Sequence, residues 1–161
     1  MTIEEMNQYL VDNKLTVCKD NIIRDNKHHP KCPNPVFQSL LEELQDNKVL
    51  DHKKETLYGQ CFLSLTEIVL NHVKFRKQEA EVKDDCRLEA LLALEALPKY
   101  FDRTKGSTAY AYCYRCQYTN MIHVLERINK ERQMMEKIRE QYEEMQALKN
   151  PGRKVCTSNI N

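Results

Sequence analysis

Tryptophan is absent from the 161 residues, and glycine occurs only three times beside five prolines. Breakers this scarce leave little for a turn-rich fold. With Leu, Glu, Lys and Gln abundant, they point to an all-helical protein. No window approaches the ~18 uninterrupted apolar residues that a membrane span needs. The opening MTIEEMNQYL lacks the basic start and apolar run of a signal peptide. Seven cysteines, an odd number scattered from Cys18 to Cys156, make no disulfide framework and fit a reducing compartment. A soluble, cytoplasmic chain is therefore expected. Phosphate loops, nucleophile elbows and paired carboxylates are also missing, so neither an enzyme nor a cofactor is expected.

Net charge is uninformative, with 25 Lys and Arg against 24 Asp and Glu. Its distribution says more. From Lys99 to Arg139 the chain holds nine basic residues against four acids, a surplus of five that leaves −4 for the rest. A basic segment on an otherwise acidic protein is the footprint expected of a nucleic-acid contact.

Organisation follows from apolar spacing. Residues 1–33 read as a polar N-terminal arm, with a short amphipathic piece (Ile3, Met6, Leu10) leading into the aperiodic NKHHPKCPNP. A helical domain is expected over 34–150. Its first helix opens with Asn34 as N-cap and Pro35 at the first helical position, and Phe37, Leu40, Leu41 and Leu44 mark one face. A second spans roughly 54–77, with Leu57, Cys61, Leu65, Ile68, His72 and Phe75 in helical register and a basic end, KFRKQ. The third, DDCRLEALLALEAL, is capped by Asp84 or Asp85, is apolar almost all round and should be largely buried, with Pro98 ending it. The fourth, capped by Ser107 or Thr108, meets no Gly or Pro before Pro151. At 1.5 Å per residue it reaches ~60 Å. Its second half carries a thin apolar stripe (Leu125, Ile128, Met135, Ile138, Tyr142, Met145), the pattern of a helix that seeks a partner. Residues 151–161 read as a disordered tail.

Four of the eight tyrosines fall within nine positions: Tyr110, Tyr112, Tyr114 and Tyr118, with Arg115 among them. The three at i, i+4, i+8 share a face, as a core stripe would, and Tyr112 points elsewhere. Aromatic faces beside cations also hold unstacked bases, at ~1–3 kcal/mol each. A division into part core and part platform is expected. Cys113 and Cys116, even with His28, His29 and Cys32, do not suggest zinc. A C-x-x-C in mid-helix lacks the turn that such a site uses, and no second one exists.

DCRLEALLALEALPKYFD resembles the segment of bacterial sigma factors, in their region 2, that docks on core RNA polymerase. There an Asp opens the helix, a Glu follows four residues on, and a Phe-Asp pair closes it. Asp85, Glu89, Phe101 and Asp102 fall on those marks. STAYAYCYRCQYTNMIHVLERINKER is similar to the family's promoter-melting helix. The closest similarity is to the short late-gene sigma factors of T-even-type bacteriophages and cyanophages. Phe101, Asp102 and Lys105 match their turn, and Arg127, Ile128, Lys130, Glu131 and Arg132 match their basic close. The resemblance covers roughly 55–135. The sequence departs from it at Leu88, Ala90 and Leu91, where polar residues or glycine are frequent.

The resemblance implies a sigma-region-2-like helical bundle with a long C-terminal helix. It implies polymerase binding through Asp85, Leu88, Glu89 and Leu92. It also implies promoter contacts from Lys105, Tyr110, Tyr112, Tyr114, Arg115, Tyr118, Asn120, His123, Arg127 and Lys130, with duplex and unstacked DNA as ligand. A host bacterial polymerase, a phage co-activator and a sliding clamp are the partners it suggests, with a short A/T-rich upstream element as target. The alternative is a non-enzymatic helical adaptor that oligomerises through the stripe at 121–145.

Overall fold

The computed structural model describes residues 1–47 and 49–152. The expectation for the tail falls mostly on 153–161, outside the described residues. The described chain is all-α apart from one two-stranded ribbon. In order it forms α1 (Ile3–Asp12), β1 (Thr16–Val17), β2 (Ile23–Arg24), α2 (Asn34–Asn47), α3 (His52–Leu70), α4 (Ala80–Tyr100), a 3-10 turn (Arg103–Lys105) and α5 (Ala109–Lys149). Two compact units divide it, Met1–Val124 and the residues from Leu125 on. None of the described helices is long and apolar enough to cross a membrane.

Residues 1–33 are no loose arm. Thr2 and Glu5 form a reciprocal capping box that starts α1, and α1 buries Met6 and Leu10. β1 and β2 pair antiparallel, Thr16 opposite Arg24 and Val17 opposite Ile23. The Ile23 amide donates to the Ser64 hydroxyl at 2.7 Å, which ties the ribbon to α3. NKHHPKCPNP continues this packing. Lys31 N–H donates to the Ile23 carbonyl, and Pro33 is buried. The segment is polar in sequence because only a few of its residues point inward.

The main core gathers Phe37, Leu40 and Leu41 of α2, Leu57, Cys61, Phe62 and Leu65 of α3, and Ala109 and Cys113 of α5. Each fully buried Leu or Phe side chain contributes about 1.5–3 kcal/mol of apolar transfer. Burial also pushes the Cys61 and Cys113 thiols well above their ordinary range, so both stay protonated.

Several expected boundaries move. Asn34 begins α2, but its Oδ1 is buried without a hydrogen-bond partner, so it does not cap. α3 starts earlier, capped by Asp51 through the Lys53 and Lys54 amides, and stops at Leu70. His72 and Phe75 therefore lie in a turn, whose buried Phe75 mimics helical spacing. α4 begins at Ala80, ahead of Asp84 and Asp85, because QEAEVK is made of helix formers. Pro98 sits inside the last turn of α4, three residues before the extended Phe101.

Candidate functional site

α4 is not largely buried. It buries Val82, Cys86, Ala90 and Leu97 along one line, and Leu88 and Leu92 stay 63% and 66% exposed on another. Leu91 is exposed as well. With no neighbouring element over this side among the described residues, apolar composition alone cannot bury it. Asp85, Leu88, Glu89 and Leu92 recur at i, i+3, i+4, i+7 and so share a face. Arg87 bonds Glu67 of α3 and Asp84, both at 2.7 Å. Asp84 is thereby engaged, while Asp85 and Glu89 form no ion pair among the described residues. The result is a strip of two leucines edged by two unpaired carboxylates.

The corner after α4 is built by side chains of α2. Gln45 Nε2 donates to the carbonyls of Pro98 and Phe101, at 2.9 and 2.7 Å. Its Oε1 accepts from Arg103 at 2.7 Å, and Arg103 also pairs with Asp46 at 2.6 Å. Asp102 accepts from the Thr104 hydroxyl and amide, which hold its carboxyl below the usual range. Gly106 takes φ 68°, a left-handed conformation that favours glycine, and thereby ends the 3-10 turn. Thr108 then caps α5 through the Ala111 amide, and Gln38 Oε1 takes the Ala109 amide at 2.6 Å. Of the two expected caps, Thr108 is the one used.

Three sides of α5 diverge from there. Ala109, Cys113, Gln117, Met121 and Val124 face inward. Tyr110, Tyr114 and Tyr118 form a ladder on a second side, neighbouring rings 6.3 Å apart and within 22° of parallel. Tyr118 also meets His72 and Phe75 nearly at right angles, with centroids at 5.2 and 5.5 Å. Tyr112 belongs to the third side, where it leans on Phe101 at 5.6 Å. There it lines a groove of about 530 Å³ with Tyr100, Asp102, Lys105, Arg115, Cys116 and Asn120. A smaller recess of about 250 Å³ continues from Tyr112 and Tyr100 to Ala96 and Leu92 on α4. Partial burial raises the Tyr112 hydroxyl above the ordinary phenol range, so it remains neutral. Arg115 is exposed and forms no ion pair among the described residues.

The predicted residues thus separate. Lys105, Tyr112, Arg115 and Asn120 converge on the groove. Tyr110, Tyr114 and Tyr118 sit together on the ladder, and Tyr110, Tyr112 and Tyr114 all pack against the core. His123 is exposed one turn beyond Asn120, and Arg127 and Lys130 are exposed on the unit that begins at Leu125. Sequence reasoning missed Tyr100, Cys116 and Thr119 as groove residues. Tyr100 reads as the end of a buried helix, and Cys116 and Thr119 carry no charge or large ring to single them out. Among the described residues no group of three or more His, Cys, Asp or Glu is placed to hold a metal ion. Comparison with known proteins returns no matching family model, no matching curated protein and no matching solved structure.

Proposed function

We propose that the chain is a sigma-like transcription initiation factor. α4 docks on bacterial core RNA polymerase, and the groove at Tyr112 takes an unstacked base from a short A/T-rich upstream promoter element. The observation that carries this reading is the α4 strip. Leucines left in water beside unpaired carboxylates suit a partner surface that is apolar and rich in arginine. Burying each leucine there contributes about 1.5–3 kcal/mol, and Arg–carboxylate pairs add direction.

The groove supports the second half. Its volume falls in the usual range for small-ligand clefts, ~300–1,000 Å³. Tyr112 and Tyr100 offer flat faces, Asn120 a donor and an acceptor, and Lys105 and Arg115 charge for phosphates. Binding an open strand on such a surface offsets the cost of unstacking it, so melting needs no nucleotide hydrolysis. The polymerase carries the chemistry. The late phage genes, the co-activator and the sliding clamp rest on the sequence resemblance alone.

The test is co-elution of the purified chain with bacterial core polymerase. Wild type should co-elute, and Glu89→Lys should not. Absence of binding by wild type would overturn the polymerase half of this proposal.

A second reading, a helical adaptor, draws on the unit from Leu125, where Met135, Ile138, Tyr142 and Met145 are exposed along one stripe. Truncation after Arg132 discriminates between the two. A sigma-like factor should retain polymerase binding without the stripe, whereas an adaptor should lose its partner and its oligomeric state.

A further inference from the structure

The turn between α3 and α4 carries charge that the groove does not use. Residues 71–78, NHVKFRKQ, contain Lys74, Arg76 and Lys77 and no acid. All three cations are exposed and form no ion pair among the described residues. The nearest preceding acid, Glu67, is already bonded to Arg87, and Glu79 and Glu81 follow at the start of α4.

The turn is also held in one shape. Phe75 is fully buried, the Phe75 and Arg76 amides both donate to the His72 carbonyl, and the Gln78 amide donates to the Phe75 carbonyl. Lys83 anchors it from α4 by donating to the Arg76 carbonyl at 2.9 Å. The fixed backbone sets the spacing of the three cations, which suits a ligand with regularly spaced negative charge, although ordering each long side chain still costs entropy.

Beside the turn stands Tyr118, the last ring of the tyrosine ladder, already in contact with His72 and Phe75. Lys74 Nζ lies 5.8 Å from the centre of the Tyr118 ring, near the outer limit of a cation–π contact. A flat ring arriving on Tyr118 can displace that weakly held ammonium towards its own phosphate. We propose that Lys74, Arg76 and Lys77, with Tyr118, form a second nucleic-acid site that binds a single strand by its phosphates and by stacking one base. This site involves none of the groove residues and none of the α4 strip. Tyr118 is among the promoter contacts that the resemblance implies, whereas Lys74, Arg76 and Lys77 are not. The three cations therefore stand independently of the polymerase reading.

Fluorescence anisotropy of the full chain with labelled oligo-dT of about twelve nucleotides tests it; known single-strand sites span ~4–16 nucleotides. Neutralising the turn (Lys74→Gln, Arg76→Gln, Lys77→Gln) should weaken binding by about tenfold or more. It should also flatten the salt dependence, by about 0.7 in log–log slope for each phosphate no longer neutralised. Tyr118→Leu should cost at least about fivefold. Because Tyr118 touches the buried Phe75, its result counts only beside an unchanged melting temperature; the three exposed cations carry the test without it. An oligo-U arm identifies RNA as the strand if it binds more tightly. Unchanged affinity and slope in the triple variant would overturn the proposal. So would tighter binding of a duplex, which offers phosphates but no open base, or failure of wild type to bind either strand. Polymerase co-elution of the triple variant should match wild type.

Discussion

α3 and α4 lie side by side and have similar lengths, yet α3 buries nine of its 19 residues and α4 only four of its 21. Leucine and alanine are more concentrated in α4, with more charge between them, so only a count of aliphatic side chains would rank the two the other way. The difference lies in their surroundings. α3 is packed by α2, α4 and β2, and α4 has a side that no element covers among the described residues. An apolar residue facing water in one helix and its counterpart in a core have the same hydrophobicity and opposite meanings. In α3 the leucines hold the fold. On the outer side of α4 they are available to something else.

Substitutions can break or sharpen that contrast. The largest effect belongs to α3. Phe62→Ala, at a fully buried site, should cost about 3–5 kcal/mol in urea unfolding. Leu92→Ser on α4 should stay within about 0.5 kcal/mol in the same experiment; a loss matching that of Phe62→Ala would erase the distinction. Leu88→Ser with Leu92→Ser should leave the melting curve nearly unchanged while abolishing co-elution with core polymerase.

A smaller effect tests how fully α3 serves as core. The Tyr58 hydroxyl is buried without a hydrogen-bond partner, and burial raises it far above the phenol range. Tyr58→Phe should therefore unfold at equal or higher urea, with a gain of up to about 1 kcal/mol. A clear loss would mean that the hydroxyl is engaged.

The smallest effect concerns pH. Arg103 holds the Asp46 carboxyl below its usual range by a side-chain hydrogen bond, against a weaker opposing pull from desolvation. A carboxyl lowered on folding stabilises the protein fully above its unfolded value, about 3.9. That contribution fades as pH falls through the lower folded value. Urea midpoints of wild type and Asp46→Asn should differ at neutral pH and converge in acid. A constant difference across the series would assign the effect to packing instead.

Much of the architecture was legible in the sequence where local chemistry and tertiary packing agree. The all-helical class, the Thr108 cap and the unbroken α5 follow from caps and breakers; α2 starts at Asn34 as expected, but not because Asn34 caps it. The separate side taken by Tyr112 was legible too, from i, i+4, i+8 spacing, whereas its packing on the core beside Tyr110 and Tyr114 was not. Residues 1–33 were not. Their strands have two residues each, too short to show alternation, although the Thr2/Glu5 box that opens α1 was there to be read. The end of α3 was hidden because Phe75 reaches the interior from a turn. The exposure of α4 was hidden for the reason already given, since no local pattern records which side a neighbour covers. Asp102, Lys105 and Tyr112 were visible as separate signals, and only the corner after α4 makes them one groove.

That corner has a consequence for how the protein is made. Gln38 and Gln45 of α2 bond groups 53 to 71 positions further along the chain. During synthesis α2 emerges long before those groups do. The N-terminal part of the molecule thus carries the side chains that shape segments not yet made. A nascent chain that has reached Asp102 already contains all of α4 but has no groove. The groove comes into being only after the Ala109 amide at the start of α5 has met Gln38 and the helix has extended to Asn120.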